Sequence, residues 1–419
     1  MRQRIAIIGT GISGLTTGYL LHRQHDITVF EANEYVGGHT NTEDVEVKGK
    51  IYPVNTGFIV FNDWTYPNFQ RLMQEISGVQ DQKTAMSFSV KCEQSGLEYC
   101  GSSISALFAQ KRNWVKPRFY RMVWDIVRFN KEGAALLDQG NLSPTLTLGD
   151  FLQQHGYSDW FVSKYIVPMG AAIWSAGEAD VMRFPVLFFI RFFKNHGLLS
   201  VKNRPQWHTL IGGSRSYVKP LSAGFAERIR LNTPVHKVTR DGNQVIIEST
   251  HGVEPFDQVV FACHSDQALA LLSDPTEHER SVLGALPYTD NDVVLHTDDT
   301  LLPQRRRAWA AWNYHIPITL KAPVSVTYNM NLLQRFDDAP VTFCVTLNYD
   351  GDIAPDKIIK RFTYSHPVFT PEGMAAQARF HEISNQNQTH FCGAYWFNGF
   401  HEDGVNSAIR VAKDLGVNW

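Results

Sequence analysis

The sequence predicts an α/β protein of two domains, in which a βαβ domain is interrupted twice by a second, α+β domain. The first stretch, "RIAIIGTGISGLTTGYLLHRQHDITVFEA", has the pattern of a strand, a turn, a helix and a second strand. Short alternating strands return between residues 229 and 263, and a strand, a loop and a helix follow residue 385. The 419 residues are too many for one simple core, which favours two domains.

Composition excludes several classes of protein. With 43% apolar and 19% charged residues the chain is globular, and its formal net charge of -2 gives no global reason to bind nucleic acid. Five widely spaced cysteines without a C-x-x-C pair indicate neither a disulfide framework nor a zinc site, so we expect a reducing compartment, the cytoplasm. The apolar run at 184–190 is shorter than the roughly 18 residues that span a bilayer. Glycines interrupt the apolar start, so we expect a strand there and not a signal peptide.

The first turn has the spacing G-x-G-x-x-G that binds a dinucleotide. The predicted elements around it are strand Ile5–Ile8, helix Leu15–Leu21 and strand Ile27–Phe30. Gly9 allows the tight turn, Gly11 lets the backbone approach a pyrophosphate, and Gly14 lets helix and strand pack closely. Glu31 ends the second strand, where its carboxylate can accept hydrogen bonds from ribose hydroxyls and would repel a 2′-phosphate, which disfavours NADP.

A second glycine pair, in "ANEYVGGHTNT" before "VNTGFIVFN", distinguishes between cofactors. It resembles the G-G motif of flavin amine oxidases, phytoene desaturases and protoporphyrinogen oxidases, which implies a Rossmann-like domain with non-covalent FAD. In that family an arginine follows the pair, whereas this chain has His39, which when neutral supplies a single donor.

The resemblance continues through the returning strands and the C-terminal segment. It implies that Val235 lies beside the adenine, although a plain strand valine is the alternative, and that Asp403 and Gly404 begin a helix near Val405. It implies an FAD-binding domain of 1–80, 205–285 and 385–419 and a substrate domain of 81–204 and 286–384. The FAD-binding residues that it implies are Gly9, Gly11, Ile12, Ser13, Gly14, Glu31, Ala32, Gly38, His39, Thr40, Thr56, Gly57, Phe58, Val235, Gly393, Asp403, Gly404 and Val405.

The substrate is predicted from what the chain lacks and from longer segments. Amine oxidases hold a lysine near flavin N5, and this chain has none between Lys237 and Lys321; it also has no aromatic residue at 401–416, where a second cage ring would lie. Segments such as "MGAAIWS", "AWAAWNY", "SHPVFT" and "GAYWFNGFHEDG" resemble a bacterial group of FAD-binding proteins, similar to the oxidase-like domain ahead of plant cyclopropane fatty acid synthases. That resemblance implies oxidation of an acyl chain or membrane lipid.

The candidate catalytic residues are His401, Tyr395 and His296, with Glu402 as a weaker base and Trp396 beside the flavin. The alternatives are a loop histidine bonded to backbone and aromatic side chains of the core. Three functions stay open: an FAD-dependent oxidoreductase acting on an acyl chain, a polyamine or amino-acid oxidase, and a non-catalytic flavoprotein that binds lipid or a lipid methyltransferase.

Two further segments bear on lipid. The stretch "RFPVLFFIRFFKNHGLL" predicts a substrate-domain helix with Pro185 in its first turn, and its phenylalanines form either core or the wall of a lipid tunnel. Arg305–Arg307 precede Trp309, Trp312 and Tyr314, but three charges are fewer than the roughly four to eight of a lipid-binding patch, so a solvated loop is favoured. Contact with the inner face of the membrane is left open.

Overall fold

The computed structural model describes residues 2–140, 143, 145–174, 176–200, 203–318, 325–349 and 351–419. Ser175 of "MGAAIWS" and Lys321 lie outside the described residues. The strands are β1 Arg4–Ile8, β2 Asp26–Phe30, β3 Thr42–Val47, β4 Lys50–Asn55, β5 Phe61–Asn62, β6 Asp81–Thr84, β7 Phe88–Cys92, β8 Leu97–Cys100, β9 Trp207–Leu210, β10 Ile229–Arg230, β11 Val235–Asp241, β12 Gln244–Ser249, β13 Gly252–Phe256, β14 Gln258–Phe261, β15 Tyr288–His296, β16 Trp312–Ile316, β17 Ser325–Asn329, β18 Cys344–Leu347, β19 Ile358–Pro367 and β20 Thr389–Phe391. The helices are α1 Ile12–Leu21, α2 Pro67–Glu75, α3 Ile104–Leu107, α4 Pro117–Gln139, α5 Leu148–Gln154, α6 Asp159–Phe161, α7 Val167–Trp174, α8 Glu178–Arg183, α9 Val186–Asn195, α10 Val218–Ser222, α11 Ser265–Leu271, α12 Glu277–Leu283, α13 Met330–Leu333, α14 Pro371–Ala378 and α15 His401–Asp414.

A parallel sheet with the strand order β10-β2-β1-β14-β20 forms the centre of one domain. Ile5 and Ile7 of β1 pack in the same apolar cluster as α1 and α15, on one side of the sheet. Ala6 and Ile8 belong to the cluster on the other side, with the meander β11-β12-β13 and helices α11 and α12. Both faces of β1 are buried, as the uninterrupted apolar run predicts. The α/β prediction is confirmed.

Two predicted helix starts were wrong by a few residues. Helix α1 begins at Ile12 and not at Leu15, so Gly14 lies inside the helix. Helix α15 begins at His401 and not near Val405. The carboxylate of Asp403 accepts the backbone N–H of Phe400 at 2.9 Å, so this side chain caps the helix from within its first turn instead of preceding it.

The second domain is built on a mixed sheet of seven strands, in the order β19-β15-β18-β17-β16-β7-β8. Strands β7 and β16 are parallel and the other neighbours are antiparallel. Side chains of α4, α5, α7 and α9 share an apolar cluster with β7, β8 and β16, and the hairpin β3-β4 packs in another cluster with β15 and β18. All seven strands lie within 81–204 and 286–384.

A small sheet, β5-β9-β6, joins the segments that cross between the domains. Strand β6 pairs with β9, with Asp81 opposite Leu210, although β6 lies beyond the predicted boundary at residue 80. Strand β6 also contacts the second domain, where Gln82 donates to the carbonyl of Gln334 and Thr84 to that of Leu332.

Helix α9 contains most of the phenylalanine-rich stretch, and Pro185 is its N-cap residue. Phe189 and Phe193 are fully buried, whereas Phe188 is partly exposed and Arg191 is exposed. In the part of the chain that the structure describes, no helix has the length and apolar character needed to cross a membrane.

Candidate functional site

Two glycine turns meet in front of the first turn of α1. Gly9 has φ +107°, and a Cβ there would lie 2.9 Å from the carbonyl oxygen of Ala262. Gly38 has φ +58°, and its Cβ would lie 3.2 Å from the Cα of Gly11. A Cβ on Gly11 would meet nothing within 4 Å, and no side chain caps the helix. The helix N–H groups therefore face free space of the kind that a diphosphate occupies.

The N-terminus of α15 comes to the same place. A Cβ on Gly404 would lie 2.7 Å from Cγ2 of Ile12 and 3.6 Å from the backbone nitrogen of Ser13. Gly404 thus allows α15 to pack against the first turn of α1, and Val405 beside it is fully buried. Two helix N-termini converge, and their partial positive charges add in favour of an anion.

Glu31 stands at the end of β2, as predicted, and only 6% of its surface is exposed. One carboxylate oxygen accepts hydrogen bonds from the backbone and side chain of Thr10, and the other accepts both donors of Asn33 at 2.9 Å. A ribose hydroxyl can bind this carboxylate by replacing the side-chain donor of either residue, since both side chains can rotate.

A network around His401 joins residues from four distant segments. Nε2 of His401 lies 3.1 Å from Oγ1 of Thr40 and 3.2 Å from the hydroxyl of Tyr217, and these two oxygens are hydrogen-bonded to each other. The imidazole stacks on Phe58 with 3.6 Å between ring centroids. Burial lowers the pKa of His401 to about 3, so the ring is neutral at physiological pH.

A second group of rings surrounds His39. Its ring centroid lies 5.1 Å from that of Tyr364, 5.4 Å from that of His366 and 5.9 Å from that of His264. Burial and the neighbouring histidines hold the pKa of His39 well below its usual value, and burial lowers that of His366 to about 4. Both rings are therefore neutral at physiological pH.

Within this group of rings, the Nε2 atom of His39 is buried and has no hydrogen-bond partner among the described residues. His39 also has a hydrogen bond to the backbone of Ser365. A buried nitrogen without a partner is costly. Together with the open space at Gly11 and the converging helices, it fits a bound dinucleotide with hydroxyl or N–H groups to offer.

Thr56 and Gly57 hold the loop that carries Phe58. The hydroxyl of Thr56 lies 2.7 Å from that of Tyr364, and a Cβ on Gly57 would lie 2.0 Å from the carbonyl oxygen of His39. The backbone N–H of Phe58 donates to that same carbonyl at 2.9 Å. Gly57 is thus needed for the loop to pass close to His39.

The structure does not bring His296 to this site. It lies at the far end of β15, and Tyr288, which stacks on His264, lies at the near end. Eight residues of extended strand separate them by roughly 25 Å. His296 is fully buried, and its Nε2 lies 2.7 Å from the hydroxyl of Thr346. We therefore assign it a structural role.

Tyr395 and Trp396 do not line an open face either. Both are almost fully buried in the apolar cluster on the meander side of the parallel sheet. A Cβ on Gly393 would lie 2.2 Å from the ring of Tyr395, so the absence of a side chain at this position leaves room for the tyrosine ring. Of the remaining predicted cofactor residues, Val235 is partly buried at the start of β11 and Ala32 is exposed.

Glu402 connects two helices. Its carboxylate accepts the N–H groups of Asn68 at 3.1 Å and Phe69 at 2.8 Å, which are in the first turn of α2. It also lies, with Asp403, beside a cavity of about 340 Å³ between α9 and α15. Burial raises the pKa of Asp403 to about 7.

Sequence reasoning missed His264, His366, Tyr217 and Tyr364. They come from three separate segments, because Tyr364 and His366 both lie on β19, and no local pattern distinguishes them from core or loop residues. The one available signal was His39 itself, because a histidine in place of the family's arginine needs neighbours of its own.

We expect acid to destabilise the protein through the neutral histidines of the site. The folded pKa values of His366, about 4, and His401, about 3, lie below the unfolded value near 6.5. As the pH falls below about 6.5 the unfolded chain binds protons first, so the free energy of unfolding decreases by about 1.4 kcal/mol per pH unit for each histidine. This contribution is complete above pH 6.5 and is lost toward pH 4. Urea unfolding between pH 4 and 7 measures it.

The control compares how steeply the free energy of unfolding depends on pH in three proteins. Asp403, with its raised pKa, contributes the opposite slope in the same pH range, so the total alone is not diagnostic. The double variant His366→Gln/His401→Gln should lose part of the pH dependence, whereas a variant at the exposed His251, His251→Gln, should keep it. Equal slopes in all three proteins would contradict the prediction.

Comparison with known proteins adds a family match. The family model for flavin containing amine oxidoreductase matches residues 12–308, well over half of the chain. An L-amino-acid oxidase of Pseudechis australis is 23% identical over 275 residues, which cover 58% of this chain. The chain spans only 46% of the length of that oxidase.

Solved structures share the fold over nearly the whole chain. A CLA-producing fatty acid isomerase from P. acnes superposes with a TM-score of 0.69 at 16% identity and covers 98% of both chains. Cyclohexylamine oxidase from Brevibacterium oxydans superposes with a TM-score of 0.68 at 14% identity and covers 99% of this chain and 100% of its own. At these low sequence identities, the structural similarity shows a shared fold.

Proposed function

The chain belongs to the family of flavin containing amine oxidoreductases, and we propose that this FAD-dependent oxidoreductase acts on an unsaturated or modified fatty acyl chain. Its cofactor is FAD, and the fit of the glycine turns, the two helix N-termini and the unpartnered Nε2 of His39 supports a non-covalent complex. The observation that carries the choice of substrate is an aromatic wall beside His401.

The aromatic wall consists of Trp174, Phe188, Phe192, Phe369 and Phe400. Phe192 stacks on Phe400 with 5.4 Å between centroids and lies 4.6 Å from Trp174, and Phe188 stacks on Phe369 at 5.8 Å. Phe400 immediately precedes His401 and contacts the apolar clusters of both domains. A row of aromatic side chains that ends next to a neutral histidine suits a hydrocarbon chain better than a hydrated cation.

When bound, FAD supplies the capacity to accept a hydride equivalent from the substrate. The protein's own residues hold the imidazole rings of the site in place and set their protonation state. Thr40 and Tyr217 fix the ring of His401, and burial keeps it neutral. The neutral ring of His39 leaves its Nε2 able to accept a hydrogen bond from the cofactor.

Oxidation of an amine is the second candidate, favoured by the two carboxylates beside the cavity. Glu402 and Asp403 could attract an ammonium group there. Each carboxylate, however, already accepts two backbone N–H groups, and the pKa of both is raised by burial. A flavoprotein that binds lipid or a lipid methyltransferase without turnover is the third candidate.

The experiment is anaerobic mixing of the FAD-loaded protein with candidate substrates, followed by flavin absorbance and mass spectrometry of the products. Oleic and linoleic acid and a phospholipid extract test the proposal, and putrescine and L-amino acids test the alternative. We expect an acyl substrate to bleach the flavin and lose two hydrogens, or to return with unchanged mass and a shifted double bond.

The three candidate functions predict different outcomes of this experiment. Rapid bleaching by an amine with no acyl product would overturn the proposal in favour of amine oxidation. Reduction by dithionite alone, with no product from any substrate, would favour a non-catalytic flavoprotein. His401→Gln should lower the rate with the acyl substrate while FAD remains bound, and His251→Gln, on the exposed meander, serves as the matched control.

A further inference from the structure

The segment 104–131 exposes many apolar side chains. Of the 15 large apolar side chains that are exposed in the described part of the chain, six lie in these 28 residues: Ile104, Trp114, Val115, Tyr120, Trp124 and Val127. Val115 is 80% exposed and Ile104 is 73% exposed. Single exposed apolar residues are ordinary, but a cluster of this kind marks an interaction surface.

Helix α4 presents this cluster as a stripe. Tyr120, Trp124 and Val127 follow one another at spacings of four and three residues and therefore share one helix face. The other face is fixed in the core, where Phe119 and Phe129 are fully buried. The outer stripe thus faces solvent because the inner face already holds the helix in place.

Basic residues surround the stripe. Segment 104–131 contains Lys111, Arg112, Lys116, Arg118, Arg121, Arg128 and Lys131, and its single acid, Asp125, is buried and paired with Arg121 and Arg128. The fold adds Arg305–Arg307, all exposed, because the turn Arg306–Ala308 contacts α3. We call 104–131 and 305–307 together the basic aromatic face.

Glu98 ties the two segments of this face together. Its carboxylate accepts the N–H groups of Gln304 at 2.9 Å and Arg305 at 3.1 Å. Its own N–H donates to the side chain of Gln110 at 3.1 Å, and its carbonyl accepts from Asn113 at 3.4 Å. These bonds hold Gln304 and Arg305 next to Gln110 and Asn113, so Arg305–Arg307 lie near the basic residues of segment 104–131.

The charge of this face contrasts with the rest of the molecule. The face carries a net charge of +9, and the whole chain carries -2, so the remaining residues carry -11. A protein with this distribution turns the basic face toward a negatively charged surface and the rest away from it.

The aromatic side chains of the face are held in place. Trp114 stacks on Phe108 with 3.9 Å between centroids, and the hydroxyl of Tyr120 donates to the carbonyl of Trp114 at 3.0 Å. The guanidinium of Arg121 lies 4.8 Å from the ring of Trp124. Docking through these rings costs little side-chain entropy.

We propose that the basic aromatic face docks on a membrane surface that contains anionic phospholipid. Tryptophan and tyrosine prefer the interface between headgroups and hydrocarbon, and the eight basic residues of the face that are not paired with Asp125 reach the roughly four to eight of a lipid-binding cluster. The aliphatic side chains Ile104, Val115 and Val127 gain from hydrocarbon and have no role in binding phosphate groups alone. This docking is independent of the chemistry at the flavin, so it stands if the substrate is an amine.

The experiment is flotation of the FAD-loaded protein with vesicles of phosphatidylcholine alone and of an equimolar mixture of phosphatidylcholine and phosphatidylglycerol. We expect binding to the mixed vesicles only, weakened by salt. Lys111→Glu/Arg118→Glu should reduce this binding at least about tenfold, and Trp124→Ser/Val127→Ser should also weaken it. The matched control, Arg23→Glu/Lys413→Glu, reverses two exposed charges of the FAD-binding domain and should bind like the wild type.

Flavin absorbance and the thermal midpoint of each variant show whether the fold is retained. Absence of binding, or binding that the variants on the face leave unchanged, would overturn the proposal. Binding to a duplex oligonucleotide or an acidic protein that the same variants abolish, with no vesicle binding, would overturn it too and assign the face to that class of partner.

Discussion

The variant Gly11→Ala should fold normally and bind FAD about 100-fold more weakly than the wild type. Apart from its chain neighbours, the added methyl group meets no protein atom within 4 Å, so the free energy of unfolding of the apoprotein should not change. The methyl group instead fills the space in front of the first turn of α1, where the backbone must approach a diphosphate closely. Titration of the apoprotein with FAD, followed by flavin fluorescence, gives the affinity, and urea unfolding of the apoprotein gives the stability.

The variant Gly14→Ala, three residues further along the chain, serves as the comparison for Gly11→Ala. A Cβ at Gly14 would lie 2.0 Å from the carbonyl oxygen of Gly9, so this variant should lose stability and FAD binding together. A Gly11→Ala protein that binds FAD as tightly as the wild type would show that the diphosphate lies elsewhere.

The variant Phe193→Ala should lower the free energy of unfolding by about 3 to 5 kcal/mol. Phe193 is fully buried, stacks on Phe189 with 4.3 Å between centroids and contacts the ring of Phe129, so its removal leaves a cavity in the core of the substrate domain. Urea unfolding followed by circular dichroism measures the change.

The matched variant is Phe188→Ala, on the same helix. Phe188 is partly exposed and belongs to the aromatic wall, so the loss of stability should be smaller, about 1 to 2 kcal/mol. If the wall contacts an acyl chain, Phe188→Ala should raise KM for the acyl substrate more than it lowers kcat. Equal losses of stability at both positions, with unchanged KM, would mean that the whole helix is core.

The local parts of the FAD-binding domain were predictable from sequence because their signals are local. An uninterrupted apolar strand, glycines at fixed spacing and an acid at the next strand end specify the turn around Gly11 and the position of Glu31. The start of α15 was misplaced because aspartate is common both before a helix and in its first turn, and only the bond to Phe400 distinguishes the two.

The candidate active site was predictable only in part, because it is assembled from distant segments. His401, Thr40 and Phe58 were predicted separately, and the structure brings them together; Tyr217, which completes their network, has no local signal. His296 and Tyr395 were chosen for their chemistry alone, and sequence does not show that one lies at the wrong end of its strand and the other inside a core. Arg305–Arg307 of the basic aromatic face likewise come near segment 104–131 only in the fold, through the bonds to Glu98.

The order of strands in the parallel sheet has a consequence for how the protein folds. Arg4 of β1 donates to Asp257, 253 residues away, and β14 in turn pairs with β20, which begins at Thr389. Contacts between such distant segments form slowly, because the chain between them must first lose much of its conformational freedom. The sheet remains incomplete during synthesis until the second insert has been made, so we expect its apolar strands to stay partly exposed until then. The proposed FAD site is built from both α1 and α15, so we expect it to form only after translation has passed residue 404.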